Sequence, residues 1–286
     1  MANTNDFVRS GRDTPGPRDW ILDLFGSFVR DFGGWIAVAD LLELIEALGI
    51  PEASGRSALS RMKNQGEIRA VARGVTRGYE LTESAERWFE DGTARILGDK
   101  PKEEDERFWV IAAFTVPEAE RSIRYQIRTR LQGLGFGQLS GGLMIAPAAI
   151  LHEAQRALSR AQFSAHVEMW KSEHVGFTPL HELVASAWDL EAISDAYNDY
   201  LSLAAALDGQ PGSERGGVDP DKGAFVQYMI NINAWRALPF LDPGIPLAHL
   251  PAQWPATEAR ETFSRLASAL RPAAWRHFVQ AATRSG

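Results

Sequence analysis

The sequence predicts an α+β protein of three units: a winged helix-turn-helix at the N-terminus, a ferredoxin-like domain in the centre and an α-helical domain at the C-terminus. Three observations predict it. Residues 17–66 carry three helical runs with apolar periodicity, followed at once by a short basic hairpin. Strand and helix signals then alternate as β-α-β-β-α-β between Phe108 and Trp170. From Leu180 onward, apolar residues recur at helical spacing in long runs. The 286 residues suffice for two domains, or three small ones. Boundaries are expected at 17–98, 107–175 and 180–286, with residues 1–16 as a flexible tail.

Composition narrows the function classes. With 45% hydrophobic and 23% charged residues, a disordered or fibrous chain is excluded. The absence of cysteine excludes disulfides, thiolate nucleophiles and Cys-based metal centres. No apolar run approaches the roughly 18 residues of a spanning helix, and MANTNDFVRSGRD has no apolar leader core. A soluble cytoplasmic protein is expected. The net charge of −7 speaks against indiscriminate coating of nucleic acid. Yet between Ser54 and Tyr79 the cations Arg56, Arg61, Lys63, Arg69, Arg73 and Arg77 face Glu67 alone. A basic island on an acidic chain points to a dedicated anionic partner, although such clusters also occur on solvated faces.

The first helix runs from Pro17, with Trp20, Ile21, Leu24, Phe25 and Phe28 on one stripe. Gly33-Gly34 breaks it, Trp35–Val38 is a short extended piece, and Leu41, Leu42, Leu44, Ile45 and Leu48 mark a second helix stopped by Gly49 and Pro51. In the third helix Ser54 is the expected N-cap, and Gly66 suits the position just past the C-terminus. Leu59 and Met62 share one side, whereas Ser57, Ser60 and Asn64 point the other way with Arg61 beside them and Arg56 and Lys63 on the flank. Small polar and basic side chains can approach base edges and phosphates, as a recognition helix in a major groove requires. The strands Glu67–Ala72 and Arg77–Leu81 would form the wing, joined through Arg73-Gly74-Val75-Thr76. The alternative is a small helical domain carrying a plain hairpin.

The run GRSALSRMKNQGEIRAVARGVTRGYELTESAERWF resembles the N-terminal domain of the PaaX family of bacterial repressors. Arg56, Ala58, Leu59, Ser60, Arg61 and Gly66 match the family's R-x-A-L-S-R-L-x-x-x-G-x-L segment, and Tyr79, Leu81 and Thr82 match the end of its wing. Met62 and Ile68 replace family residues with packing preserved.

In the middle third, Lys100–Glu106 reads as a linker and Phe108–Phe114 as a buried strand. Pro117 is expected to open a helix with Glu118 and Glu120 in its first turn and Ile123, Ile127, Leu131 and Leu134 on its apolar face. A hairpin follows, with strands at Gln138–Leu139 and Leu143–Ala146. A helix at Ala148–Arg160 and a strand at Ala165–Trp170 complete the unit. FWVIAAFTVPEAERSIRYQIRTRLQGLGFGQLSGGLMIAP is similar to the central segment of the same family, which implies a Cas2-like domain. That relationship raises a second reading, a metal-dependent phosphodiesterase. Such an enzyme needs carboxylates for its cation, and Phe114 or Thr115 stands where those nucleases carry an Asp. The glycines at 133, 135 and 137 do not form a phosphate loop.

Leu180–Leu207 is expected to be one long helix, Gln210–Pro220 a loop and Lys222–Leu238 a helix. Five prolines between Pro239 and Pro255 are expected to forbid regular structure, and two helices, Thr257–Leu270 and Ala273–Ala282, close the chain. WRALPFLDPGIPLAHLPAQWPATEARETFSRLASAL resembles the family's C-terminal signature through Arg236, Asp242, Pro243, Pro246, Leu250, Pro251, Trp254 and Pro255. His152, His166, His174, His181, His249 and His277 lack metal-ligand spacing. Trp188, Tyr197, Tyr228 and Trp235 with Arg236 are the candidate lining of an effector cavity. At helical spacing the same aromatics also read as core.

The basic island and the resemblance together imply a DNA-binding transcriptional regulator, a repressor, with no catalytic residues, metal or cofactor. Its expected partners are a double-stranded DNA operator, a small-molecule effector and a second copy in a homodimer, with no membrane. Arg56, Ser57, Ser60 and Asn64 are the candidates for base edges. Arg61, Lys63, Arg69, Arg73 and Arg77 are the candidates for phosphates. The resemblance further implies an operon for aromatic-compound catabolism of the phenylacetate type, and an acyl-CoA thioester such as phenylacetyl-CoA as effector. A third possibility is a scaffold whose winged domain binds protein.

Overall fold

The computed structural model describes residues 15–97, 106–117, 120–209 and 219–284. The expected tail up to residue 14, the linker before Glu106 and residues 210–218 lie outside them. Helix α1 (Pro17–Leu24) starts on a proline whose fixed φ suits a first turn, and continues into a π-helical turn at Phe25–Val29. Strand β1 (Trp35–Ala37), helix α2 (Val38–Ala47), helix α3 (Glu52–Asn64), strands β2 (Ile68–Arg73) and β3 (Thr76–Leu81) and helix α4 (Glu83–Leu97) follow. The antiparallel sheet has the order β1-β3-β2. Three helices followed by this antiparallel hairpin form the arrangement that the sequence leads one to expect of a winged helix-turn-helix.

The centre consists of β4 (Phe108–Phe114), α5 (Arg121–Gly133), β5 (Gly137–Ser140), β6 (Leu143–Pro147), a 3₁₀ turn at Ala148–Ile150, α6 (Leu151–Arg160) and β7 (Val167–Glu173). All pairings are antiparallel, in the order β5-β6-β4-β7 expected of the split β-α-β fold. Helices α5 and α6 cover one sheet face, burying Ile127, Leu131, Ala154 and Leu158 against Val110, Ala112 and Phe114. Two boundaries differ from expectation. Helix α5 begins at Arg121, because Glu120 lies outside the α-helical region (φ −112°) and its N–H closes a separate 3₁₀ turn onto the Pro117 carbonyl at 2.9 Å; Glu118 lies outside the described residues. Strand β7 begins at Val167, because the His166 N–H bonds the Phe163 carbonyl in a turn, and pairing with β4 extends to Glu173.

The last third comprises α7 (Leu180–Ala187), α8 (Leu190–Asp208), α9 (Pro220–Trp235), α10 (Leu238–Leu241), a 3₁₀ turn at Leu247–His249 and α11 (Ala256–Ala282). The single helix expected from Leu180 is two. Trp188 is extended, and the Asp189 carboxylate caps α8 by accepting from the Ala192 N–H at 3.0 Å. The proline-rich stretch holds two short helical pieces, since proline at a first turn forfeits no intrahelical bond. Conversely, the two final helices are one. Pro272 sits inside α11, where one lost hydrogen bond is offset by Phe263, Leu266, Ala274 and Phe278, which bury a face along both halves.

The core crosses the expected boundaries. Ile21, Phe25, Phe28, Leu41, Leu59 and Ile68 of the winged unit belong to one cluster with Tyr200, Phe225, Met229, Trp235, Phe263 and Phe278. Phe28 is the hinge of that packing, with Phe278 stacked on it at 5.0 Å and Phe225 and Tyr228 tilted at 5.6 and 5.3 Å. Helix α7, in contrast, covers the second face of the central sheet, where Val184 meets Trp109, Ile145 and Ile245.

Candidate nucleic-acid interface

The site is built on α3. Its inward side is Gly55, Ala58, Leu59 and Met62, all buried. A Cβ at Gly55 would collide with Ile45 and Leu42, so glycine permits the close approach of α2 and α3. The start differs from expectation. Pro51, not Ser54, is the N-cap, and its carbonyl accepts the N–H groups of Ser54 (2.9 Å) and Gly55 (3.1 Å). The end is as expected: Gly66, at φ 73°, donates to the Lys63 carbonyl while Glu67 N–H reaches Met62, a Schellman closure.

Arg56, Ser57, Ser60, Arg61, Lys63 and Asn64 are all exposed. Arg56 pairs with Glu52 one turn earlier at 2.6 Å, and Arg61 donates to the Ser57 hydroxyl at 3.0 Å. Lys63 has no carboxylate partner among the described residues. Glu67, the island's sole acid, points inward, is 7% exposed and binds Arg18 of α1 through two guanidinium nitrogens. Its charge is thereby withdrawn from the outer surface.

The pairing register divides the hairpin cations between two faces. Arg69 is opposite Glu80 and bonded to it at 2.5 Å, and Arg73 lies 4.9 Å over the Trp35 ring on that same face. Arg77, opposite Ala72, lies on the other face with Ile68, Tyr79 and Leu81, the side that packs toward α3. Of the three hairpin cations, Arg77 thus shares the face of Ile68, Tyr79 and Leu81, and Arg69 and Arg73 share the opposite face with Trp35. The β1 strand and Trp35 carry no charge or helical spacing that marks them in the sequence as parts of the site, yet they brace the hairpin. Trp35 donates to the Val71 carbonyl at 3.0 Å and fills the space over Gly78.

Three family models match in chain order: the PaaX-like protein model over residues 17–85, the PaaX protein central Cas2-like domain over 102–184, and the PaaX-like protein C-terminal domain over 188–280. The chain belongs to the PaaX family. It is 23% identical over 257 residues to the transcriptional repressor PaaX of Escherichia coli (strain K12), covering 89% of this chain and 80% of that protein. Among solved structures it is similar to an uncharacterized protein from Mycobacterium tuberculosis, with TM-score 0.60 and 21% identity over 91% of this chain and 97% of the other.

Within this PaaX-family chain, the five effector candidates occupy two places. Trp188 packs over Gly137 beside Trp109 and donates to the Gly135 carbonyl at 3.0 Å. The other four lie in the large core. Tyr197 donates to Asp242 at 2.8 Å, and burial, reinforced by that carboxylate, raises its phenol far above the ordinary value. Tyr228 flanks Phe28, and Trp235 stacks on Phe263 at 4.7 Å while donating to the Ile96 carbonyl. Arg236, 1% exposed, lies between Asp19 (3.1 Å) and Asp23 (3.2 Å) of α1. Burial raises Asp23 to about 6 despite Arg236 and the bond from Asn233. Tyr228, Trp235 and Arg236, through Phe28, Ile96, Asp19 and Asp23, join the N-terminal unit to the C-terminal helices.

At the end of β4, Phe114 is buried and Thr115 exposed, so no carboxylate stands there. Among the described residues no three His, Asp or Glu side chains are grouped to hold a metal ion. None of the described helices is long and apolar enough to cross a membrane.

Proposed function

We propose that this chain is a DNA-binding transcriptional repressor whose α3 enters a major groove while Arg77 and the wing neutralise adjacent phosphates. The observation that carries this reading is the division of α3. Its apolar residues are buried under α2 and β2, and Arg56, Ser57, Ser60, Arg61, Lys63 and Asn64 are left exposed as a small-polar and basic surface. The winged topology and the named repressor among its relatives support the same conclusion. The protein acts as a cytoplasmic homodimer, placing two α3 helices in half-sites about one duplex turn apart. Arg56, Ser57, Ser60 and Asn64 read base edges, and Arg61, Lys63, Arg69, Arg73 and Arg77 serve phosphates.

The family relationship also supports control of an aromatic-compound catabolic operon of the phenylacetate type, with release by an acyl-CoA thioester. Such an effector must bind the non-DNA-binding geometry more tightly than the other, since only differential affinity shifts a population. Selection of genomic fragments by the purified protein, repeated with a panel of aryl- and acyl-CoA esters including phenylacetyl-CoA, tests the proposal. Recovery of a discrete site beside catabolic genes, released by one ester, is expected. Retention of no fragment above background would overturn it.

A further inference from the structure

A second basic surface lies on the central domain, away from every residue assigned above. Helices α5 and α6 together contain six arginines and no lysine, and α5 has no acidic residue at all. At 100° per residue, Arg121, Tyr125, Arg128 and Gln132 fall within about 60° of arc, whose centre lies about 90° round the helix from the buried Leu131 and about 130° from Ile127. Tyr125 is 68% exposed between the two arginines. Arg121, Arg128 and, on the neighbouring α6, Arg156 have no carboxylate partner among the described residues. The Arg128 Nε is buried without an acceptor, a donor left unsatisfied. Arg124 is anchored separately, on the Val116 carbonyl at 2.6 Å.

A solvated helix face ordinarily mixes both signs and uses lysine freely. Arginines that outnumber the acids (Glu120 just before α5 and Glu153 on α6), interleaved with an exposed aromatic, are instead the composition of a phosphate-binding surface. The shape selects the occupant. Small-molecule sites are concave, whereas this surface is the outer side of two packed helices on a sheet. The stripe runs about 16 Å along α5, a span over which duplex DNA presents phosphate charge about every 1.7 Å of its axis.

We propose that the outer face of α5 and α6 binds the phosphate backbone of duplex DNA flanking the operator. The inference rests on the DNA-binding reading of α3 and adds a second, sequence-independent contact to it. The test compares a duplex limited to the selected operator core with the same core extended by about 15 base pairs on each side, titrated across salt concentrations. The native protein should bind the extended duplex several-fold tighter at low salt. R121Q/R128Q should abolish that advantage and lower the salt slope on the extended duplex by about 2, at about 0.9 per phosphate contact. R121Q/R156Q, which alters only exposed side chains, should do the same. Affinity on the core alone should stay within twofold. Equal affinity and slope on both duplexes for the native protein would overturn the proposal. So would variants that keep the advantage, lose core binding equally, or change the protein's oligomeric mass, which would assign this face to protein contact. Failure of the α3 reading looks different: the native protein would not prefer the core to a scrambled duplex.

Discussion

Glu67 shows how one side chain sets the character of a surface. Had it faced outward, it would have offset one cation of the island; bound to Arg18, it leaves α3 and the hairpin free of that charge. The outward orientation of Ser60, Arg61 and Asn64 was legible from helical spacing, because a 3.6-residue period fixes which residues share a side. The pairing of Arg69 with Glu80 was not, because a partner eleven residues away depends on strand register. That pairing separates the cations. Arg77→Ala should weaken binding of all sequences alike and reduce the salt slope by about 0.9. Arg69→Ala should change the slope less, since its charge already has a partner. Fluorescence anisotropy across a salt series checks both, and equal effects would show that the register does not matter. Ser60→Ala or Asn64→Ala should instead cost about 1–3 kcal/mol at particular base pairs, read as altered preference at those positions.

Among the elements, the hairpin depends on its contact with β1. A Cβ at Gly78 would run into the Trp35 ring and the Ile36 carbonyl. Gly78→Ala should therefore destabilise the protein by about 1–3 kcal/mol, as overpacking does, and loosen the wing. Urea denaturation checks the first effect, and an unchanged midpoint would contradict it. The order of strands and helices in the central domain was legible because its apolar runs alternate sharply with turn residues. Three helix limits were not. The break at Trp188 comes from an aspartate able to cap and an indole seated on a glycine of another strand. The continuity of α11 through Pro272 comes from burial on both sides of it. The delayed start of α5 comes from a turn at Pro117. In each, tertiary contacts outweigh the local signal.

At the scale of the whole molecule, the N-terminal unit and the C-terminal helices share one core, so α3 is mounted on the element pair α9 and α11 through α1. No periodicity reveals such long-range packing, which is why Trp235 and Arg236 could be read either as core or as effector lining. Arg271 reinforces the joint. It donates to the Ser27 carbonyl, pairs with Asp31 at 2.8 Å and lies 4.8 Å over the Phe28 ring. Phe28→Ala should cost about 3–5 kcal/mol in chemical denaturation, with the winged unit and the C-terminal helices melting in one transition; separate transitions would contradict a shared core. The buried Asp23 adds a pH dependence. Its folded value of about 6 lies above the ordinary 3.8, so its contribution is most favourable at low pH and is lost as pH rises through 6. The stability difference between native protein and Asp23→Asn should therefore shift in favour of the native protein by about 2 kcal/mol between pH 7.5 and 4.5. Burial lowers His277, which acts in the opposite direction, but it is common to both proteins and cancels. A flat difference would contradict the assignment. The most direct test of the central claim is selection from random-sequence duplexes with native protein and with the Ser60→Ala/Asn64→Ala variant. The native protein should enrich one motif, and the variant should lose preference at a few of its positions while still binding DNA. Enrichment of no motif, or of the same motif by both proteins, would contradict the claim that the exposed face of α3 reads the sequence.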